Sequence, residues 1–446
     1  MSEQLSGRKR PLIFYGWIIV AISFITLTMG YATRYSFSVF YVAILEEFGW
    51  LRAETAFAFS VNMITYAALS PISGTLVDRF GPRKIFPFGA ILCGLGILGL
   101  SQLDSIWQLY LFSGLTASGL IFMGYIAHSC FLPHWFSLKL GTAIGIATVG
   151  MTVGNVFTIP IQYLIENIGW RGTYMVMAAT VVAVIVPITS LFQRHRAEDM
   201  GLQRDGISRT EEELEAGTIK PNQKEMEDLR IVDKAWAATD WTLARAIKTG
   251  KFWLLFAQSF FIAINGNIIL VHIVAFIVGA GYSNMFAASM YALSGALGLV
   301  SAVGGAISDR IGREWTFTIG ATSILIGMLV LFLIRDTNSP GLPYLFAVFY
   351  GFGIGIDRPI IMASKADVFQ GKHLGAIMGV NNLAYGLGAA FGAWLAGYIY
   401  DISGSYILAF SIGVICLLLS IAALWIAAPR KVRIAGGKVK REQPAS

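Results

Sequence analysis

Twelve apolar runs, parted by short polar turns, follow one another along this 446-residue chain. They cover about 13–44, 54–77, 85–103, 106–131, 138–165, 170–192, 252–278, 284–307, 315–334, 343–367, 373–400 and 404–427. A helix needs ~20 apolar residues to cross a bilayer, so the pattern predicts twelve membrane spans. The rhythm breaks once. From about 193 to 248 the chain carries ten Lys/Arg against twelve Asp/Glu, densest at Glu211-Glu212-Glu213-Leu214-Glu215. Such a stretch reads as a solvated connector, part helix and part disordered. Trp241–Ile247 is expected to lie flat on the membrane before the next span opens at Phe252-Trp253. The predicted division is therefore a six-helix bundle over 1–192, a linker over 193–250, a second bundle over 251–428 and a basic tail over 429–446.

Composition agrees with an integral membrane protein. Hydrophobic residues make up 56% of the chain and charged ones 13%, with mean hydropathy +0.65, whereas soluble domains are about a quarter charged. The net charge of +7 is not a nucleic-acid footprint, because of where it sits. With the N-terminus inside, the short inner segments hold seventeen Lys/Arg, from Arg8-Lys9-Arg10 to the six between Arg430 and Arg441. The outer turns hold three: Arg52, Arg171 and Arg335. That asymmetry predicts a multi-pass plasma-membrane protein with both termini in the cytoplasm. The run after Arg10 exceeds the h-region of a signal peptide and lacks a clear cleavage site, so it is expected to stay as the first span. Cys93, Cys130 and Cys416 fall within spans and suggest neither a disulfide framework nor a metal site.

Only three charges lie well inside predicted spans: Arg34, Asp357 and Arg358. A charge at the bilayer centre costs at least ~2.5–3.5 kcal/mol, so such residues face a cavity or a partner. Arg34 could instead snorkel outward, but Tyr31 and Tyr35 flank it and Glu46 lies about three turns away. Adjacent helical residues do not face each other, so Asp357 and Arg358 need not form a closed pair. If all three charges share one cavity it sums to +1 with Asp357 ionised, which suits a small organic anion. Arginine stays charged and holds a carboxylate in bidentate fashion. Asp357 is the foremost candidate for carrying a proton, with His272 and His128 in reserve. A tie among the three charges that holds the halves together is the structural alternative. Asn265 and Asn267 on the seventh span, and Asn381 and Tyr385 on the eleventh, add polar groups at cavity depth. Ties between helices, worth ~0.6 kcal/mol each, would explain such residues as well.

The second span ends Gly74-Thr-Leu-Val-Asp78-Arg79-Phe-Gly81-Pro-Arg83-Lys84, and the eighth ends Gly305-Ala-Ile-Ser-Asp309-Arg310-Ile-Gly312-Arg313-Glu314. The shared G-x-x-x-D-R-x-G makes two copies of one turn at about half the chain length apart. Such an internal repeat predicts two bundles of parallel topology with the substrate between them near the midplane. This motif resembles that of the major facilitator superfamily. Tyr15-Gly16-Trp17, the stretch from His134-Trp135-Phe136 through Lys139, Gly141, Gly145 and Gly150, and Gly169-Trp170-Arg171 are similar to features of its monocarboxylate transporters and their bacterial oxalate/formate relatives. Spaced Gly141, Gly145, Gly150 and Gly154 also predict a close-packing face on the fifth span.

That resemblance implies a twelve-helix secondary transporter of a small carboxylate, working by proton symport or anion exchange. It further implies that spans 1, 7, 10 and 11 line the cavity. The family's helix 8 arginine and aspartate correspond here to Ser301 and Leu297, and its helix 11 and helix 1 lysines to Tyr385 and Tyr35. The anion-binding charge is therefore expected on Arg358 and Arg34. Glu314 stands where the motif usually has a basic residue. No catalytic constellation or ATP-binding loop occurs, so neither an enzyme nor a cofactor is expected. The expected partners are a small organic anion, protons and the lipid bilayer, with a monomer as the functional unit. An exporter of cationic or hydrophobic drugs and a non-transporting sensor on the same scaffold are the rival readings.

Overall fold

In the computed structural model, residues 14–206 and 230–434 are described, apart from Leu138 and Lys372. The side chains of Asp78 and of Ser301, Ala302 and Val303 lie outside that description, as do Arg8–Arg10, the run Glu211–Glu215 and the tail beyond Ile434. The apolar runs fold as helices close to their predicted limits. The widest misses are an end at Phe48 where 44 was predicted and one at Ile311 where 307 was predicted. Among the described residues ten helices are long and apolar enough to cross a membrane, and Asn284–Val300 with Gly304–Ile311, bent by 46°, makes an eleventh. The twelfth lies within Leu140–Phe192, an apolar stretch of 53 residues. At 1.5 Å per residue that would be about 80 Å of helix, against ~30 Å of hydrocarbon. Gly169, at φ 74° and ψ 163°, breaks it and sends the sixth span back.

Left-handed glycines also make the two motif turns. Gly81 (φ 79°) joins Arg52–Phe80 to Pro82–Leu100, and Gly312 (φ 101°) joins Ser301–Ile311 to Arg313–Leu331. A side chain there would be strained, which is why the repeat keeps glycine at both places. Nearby, Arg83 donates to the Ser190 carbonyl (2.7 Å) and the Arg79 guanidinium lies 5.3 Å from the Phe80 ring. In the second copy Arg313 bonds Asp309 (2.8 Å) and Asp367 (2.7 Å), while Arg310 is exposed.

Each half packs mainly within itself: the third span on the fourth and sixth in one, the ninth on the tenth and the seventh on the twelfth in the other. The halves meet where the second span packs on the eleventh and the fifth on the eighth. They meet most closely on the face opposite the linker, the far face. There a Cβ on Gly397 would strike the Ala53 backbone at 2.7 Å, and Ser60 donates to the Ala390 carbonyl (2.6 Å). Toward the linker the small residues lose their neighbours. Of the four glycines expected to pack closely, Gly150 and Gly154 do so, against the first span, but Gly141 and Gly145 face open space, as do Gly375 and Gly379. The hydrogen bonds that cross between the halves among the described residues run from Arg358–Tyr35 toward the far face. The structure is sealed on the far face and open toward the linker.

Both described ends of the linker are docked. Asp205 accepts from the Ser137 and Lys139 amides (2.7 and 3.1 Å) on the turn between the fourth and fifth spans. Arg230–Asp233 pairs with Val432–Ile434 through backbone bonds such as Val232 to Val432 (2.9 Å). Trp241 is not laid out on lipid as the sequence suggested. It is buried against Trp236 and Phe369, because those rings offer it a protein surface.

Candidate functional site

Between the halves the first span (Tyr15–Tyr35, continuing as Phe37–Phe48) faces the tenth (Gly341–Val368) across a chamber. The first helix breaks at Ser36, just past Tyr35, and this sets Arg34 and both flanking tyrosines at the break. The Arg34 guanidinium contacts Met63 Sδ (2.9 Å) and lies over the rings of Tyr66 (5.6 Å) and Tyr31 (6.0 Å). Arg358 comes from the opposite half and donates to the Tyr35 hydroxyl (3.2 Å). Tyr385 and Tyr31 also lie near enough to bear on the Arg358 charge, and Tyr291 and Tyr350 stand close by. Arg358 and Tyr385 are exposed within the chamber. Two arginines from different halves thus share one aromatic enclosure.

No carboxylate joins them among the described residues. Asp357 is 2% exposed, and both its oxygens lack a hydrogen-bond partner. Its carboxyl group packs against Gly320 of the ninth span, where a Cβ on that glycine would collide with it. The helical offset between adjacent residues sends Arg358 into the chamber and Asp357 into the helix interface. The chamber-facing charge is therefore that of two guanidiniums, and not the +1 obtained when all three charges share one cavity. The Asp357–Arg358–Arg34 tie does not occur.

The remaining predicted groups divide. Asn265 is a helix tie: it is 1% exposed and donates to the Gly413 carbonyl (3.0 Å) and Met328 Sδ (2.7 Å). Asn267 and Asn381 are buried and donate back to their own helices, at Ala263 and Ile377. The bonds of all three go to these partners rather than to either arginine. These bonds satisfy each amide nitrogen inside apolar helices, while Oδ1 of Asn267 and of Asn381 has no partner among the described residues. His128 is buried against Phe86 and Phe131, its Nδ1 2.9 Å from the Gly124 carbonyl.

His272 lies at the far face, in a cluster that the sequence did not reveal. There Asp401 accepts from the Arg52 and Ala53 amides (2.9 and 2.7 Å), capping the second span from the opposite half. Arg52 stacks over Tyr400 (3.7 Å) and donates to the Tyr406 hydroxyl (2.5 Å). His272 lies between that hydroxyl (Nδ1, 3.1 Å) and the Ala393 carbonyl (Nε2, 2.8 Å). Tyr66, Tyr291 and Tyr350 went unnoticed in the chamber for a simple reason. A tyrosine in an apolar run looks like core until the fold brings it beside a charge.

The family model described as Major Facilitator Superfamily matches residues 16–357 and 303–445. Rat monocarboxylate transporter 13 is 24% identical over 406 residues, covering 89% of this chain and 85% of the relative. Human monocarboxylate transporter 2 is 25% identical over 410 residues, covering 88% and 81%. Among solved structures, a D-xylose–proton symporter superposes with TM-score 0.67 at 16% identity, covering 91% of this chain and 97% of that one. A bacterial homolog of the human lysosomal transporter Spinster, inward-facing and occupied, gives TM-score 0.65 at 15% identity, covering 94% and 97%. These two likenesses speak for the fold alone.

Proposed function

The chain belongs to the Major Facilitator Superfamily and is a membrane transporter, and we propose that its cargo is a small, monocarboxylate-like organic anion. The observation that carries this reading is the pair Arg34 and Arg358, facing one chamber from opposite halves with no acidic partner among the described residues. Guanidinium forks match a carboxylate, and the phenols of Tyr31, Tyr35 and Tyr385 supply donors around it. The Arg358–Tyr35 bond joins the two halves, and an anion bound there competes for the same donors. Binding is thereby coupled to the rocking of one half against the other. Gly81 and Gly312 turn the paired motif loops on which that rocking pivots.

Exchange of one anion for another is the mode this arrangement favours. Two uncompensated guanidiniums are costly to bury when the chamber closes, and a returning anion offsets them. Proton symport through Asp357 is the second reading, favoured by a buried carboxyl that has no partner one residue from Arg358. The basic asymmetry supports a plasma-membrane orientation with the linker and termini in the cytoplasm, and a single chain already encloses the chamber.

Protein in liposomes loaded with unlabelled carboxylate, challenged with labelled carboxylate outside, tests both. Uptake that needs internal carboxylate establishes exchange, and uptake driven by an inward proton gradient alone establishes symport. No carboxylate uptake in either format overturns the anion reading and sends the search to cations.

A further inference from the structure

We propose that His272 is a proton-binding element of the far-face seal, through which acid on that side opens the transporter. The inference rests on the hydrogen-bond directions in the seal and does not depend on the cargo. The Ala393 carbonyl only accepts, so the proton of neutral His272 is on Nε2. Nδ1 is then an acceptor, and the Tyr406 hydroxyl donates to it. The same phenol oxygen accepts from the Arg52 guanidinium. A single chain of bonds thus runs from the second span, through Tyr406, to the seventh and eleventh, and it crosses between the halves.

A proton on Nδ1 reverses one link. His272 becomes a donor at both nitrogens, and Tyr406 must turn its proton away from the ring to the neighbouring Tyr41 hydroxyl. The phenol oxygen then faces two cationic donors, Arg52 and the imidazolium, within a buried cluster. The other groups that face His272 do not offset this. Tyr41 stands edge-on to the ring and gives its hydroxyl to the Arg52 carbonyl (3.0 Å), and Tyr400 lies under the Arg52 guanidinium. Asp401 is the one acidic side chain of the cluster among the described residues, and both its oxygens are taken by the Arg52 and Ala53 amides. With His272 neutral, Arg52 and Asp401 balance; with it protonated, the cluster carries one net positive charge.

Parting the halves relieves the conflict, because Arg52 and Tyr406 then separate and His272 gains water. The open seal therefore binds the proton better than the closed one. A ligand that prefers one of two states shifts the population toward it. By the orientation proposed above, the relevant acid is extracellular.

Ser60 is 1% exposed in the seam, so a Ser60→Cys substitution in protein that otherwise lacks cysteines reports opening. Its labelling by a membrane-impermeant thiol reagent on the far side is followed at external pH 7.5 and 5.5 with internal pH fixed, and no substrate is present. Comparison with the same reporter carrying His272→Gln cancels the reagent's own pH response, since glutamine keeps one donor and one acceptor without titrating. The expected result is labelling that rises on acidification several-fold more with His272 than with His272→Gln, up to about tenfold per pH unit for one fully linked proton. A reporter carrying Asp401→Asn should label faster at both pH values and keep the acid response. An acid response that is the same with and without His272→Gln would overturn the proposal. So would a response that survives His272→Gln and disappears in Asp401→Asn, since the titrating group would then be the carboxyl.

Discussion

The chamber and the far-face seal are built from the same materials and behave as opposites. Each has an arginine that donates to a tyrosine across the two halves, Arg358 to Tyr35 in one and Arg52 to Tyr406 in the other. In the seal the chain supplies its own anion, Asp401, which reaches the second span from the opposite half, and His272 is bonded at both nitrogens. In the chamber the carboxyl beside Arg358 turns away, and two guanidiniums are left with phenols and a thioether. A cationic site completed by its own carboxylate holds the fold together. One left incomplete is where an anion from outside the chain contributes most.

The sharpest way to break this contrast is Arg358→Gln. Truncating one partner of a buried charge pair costs about 2–5 kcal/mol, roughly thirty-fold or more in affinity. Carboxylate exchange should therefore vanish at ordinary substrate concentrations, while the protein stays monodisperse in detergent. Full exchange by that variant would remove the chamber from the mechanism. Arg34→Gln should lose somewhat less, because Arg34 sits against Met63 and the Tyr66 ring rather than on a hydroxyl that joins the halves. Titrating the apparent KM for the labelled anion separates the two.

How much of this could be read from the chain follows the same division. The spans, the repeat and the three charges within spans were legible, because hydropathy and a charge in an apolar run are local properties. Arg34 and Arg358 could be named as charges that need a cavity or a partner, although nothing local says that they share a chamber. The direction of Asp357 was not legible: adjacent helical positions are about 100° apart, and which one meets the cavity depends on where Gly320 admits a carboxyl. Asn265, Asn267 and Asn381 resemble chamber residues in sequence and are buried in space, Asn265 as a tie to the twelfth span and the other two bonded back to their own helices. The seal was invisible because Arg52 and Asp401 lie 349 residues apart, each at a helix end where a charge draws no notice.

Glu314 sharpens the contrast on the linker face. Where the motif usually has a base, this acid is 2% exposed and accepts from both the backbone amide (3.0 Å) and the guanidinium (3.3 Å) of Arg430. It anchors the start of the tail, which in turn pairs with the linker at Val432. Glu314→Gln should cost about 1–2 kcal/mol, as expected for a weakened bond to a charged group. Lower thermal stability and faster proteolysis of the tail, with exchange retained, would fit that structural role. Loss of exchange with an intact tail would place Glu314 in the transport cycle instead.

The smallest expected effect is that of Asp357→Asn, and it decides between the two modes of transport. The carboxyl has no partner to lose and lies against Gly320, and asparagine is nearly isosteric with it. If the cargo is exchanged, carboxylate-for-carboxylate flux should be retained, because the substitution breaks no bond. If the cargo moves with a proton held on Asp357, gradient-driven uptake should disappear while exchange at equal pH survives. Measuring both fluxes on one preparation distinguishes a carboxyl that only fills a helix interface from one that carries a proton beside the chamber.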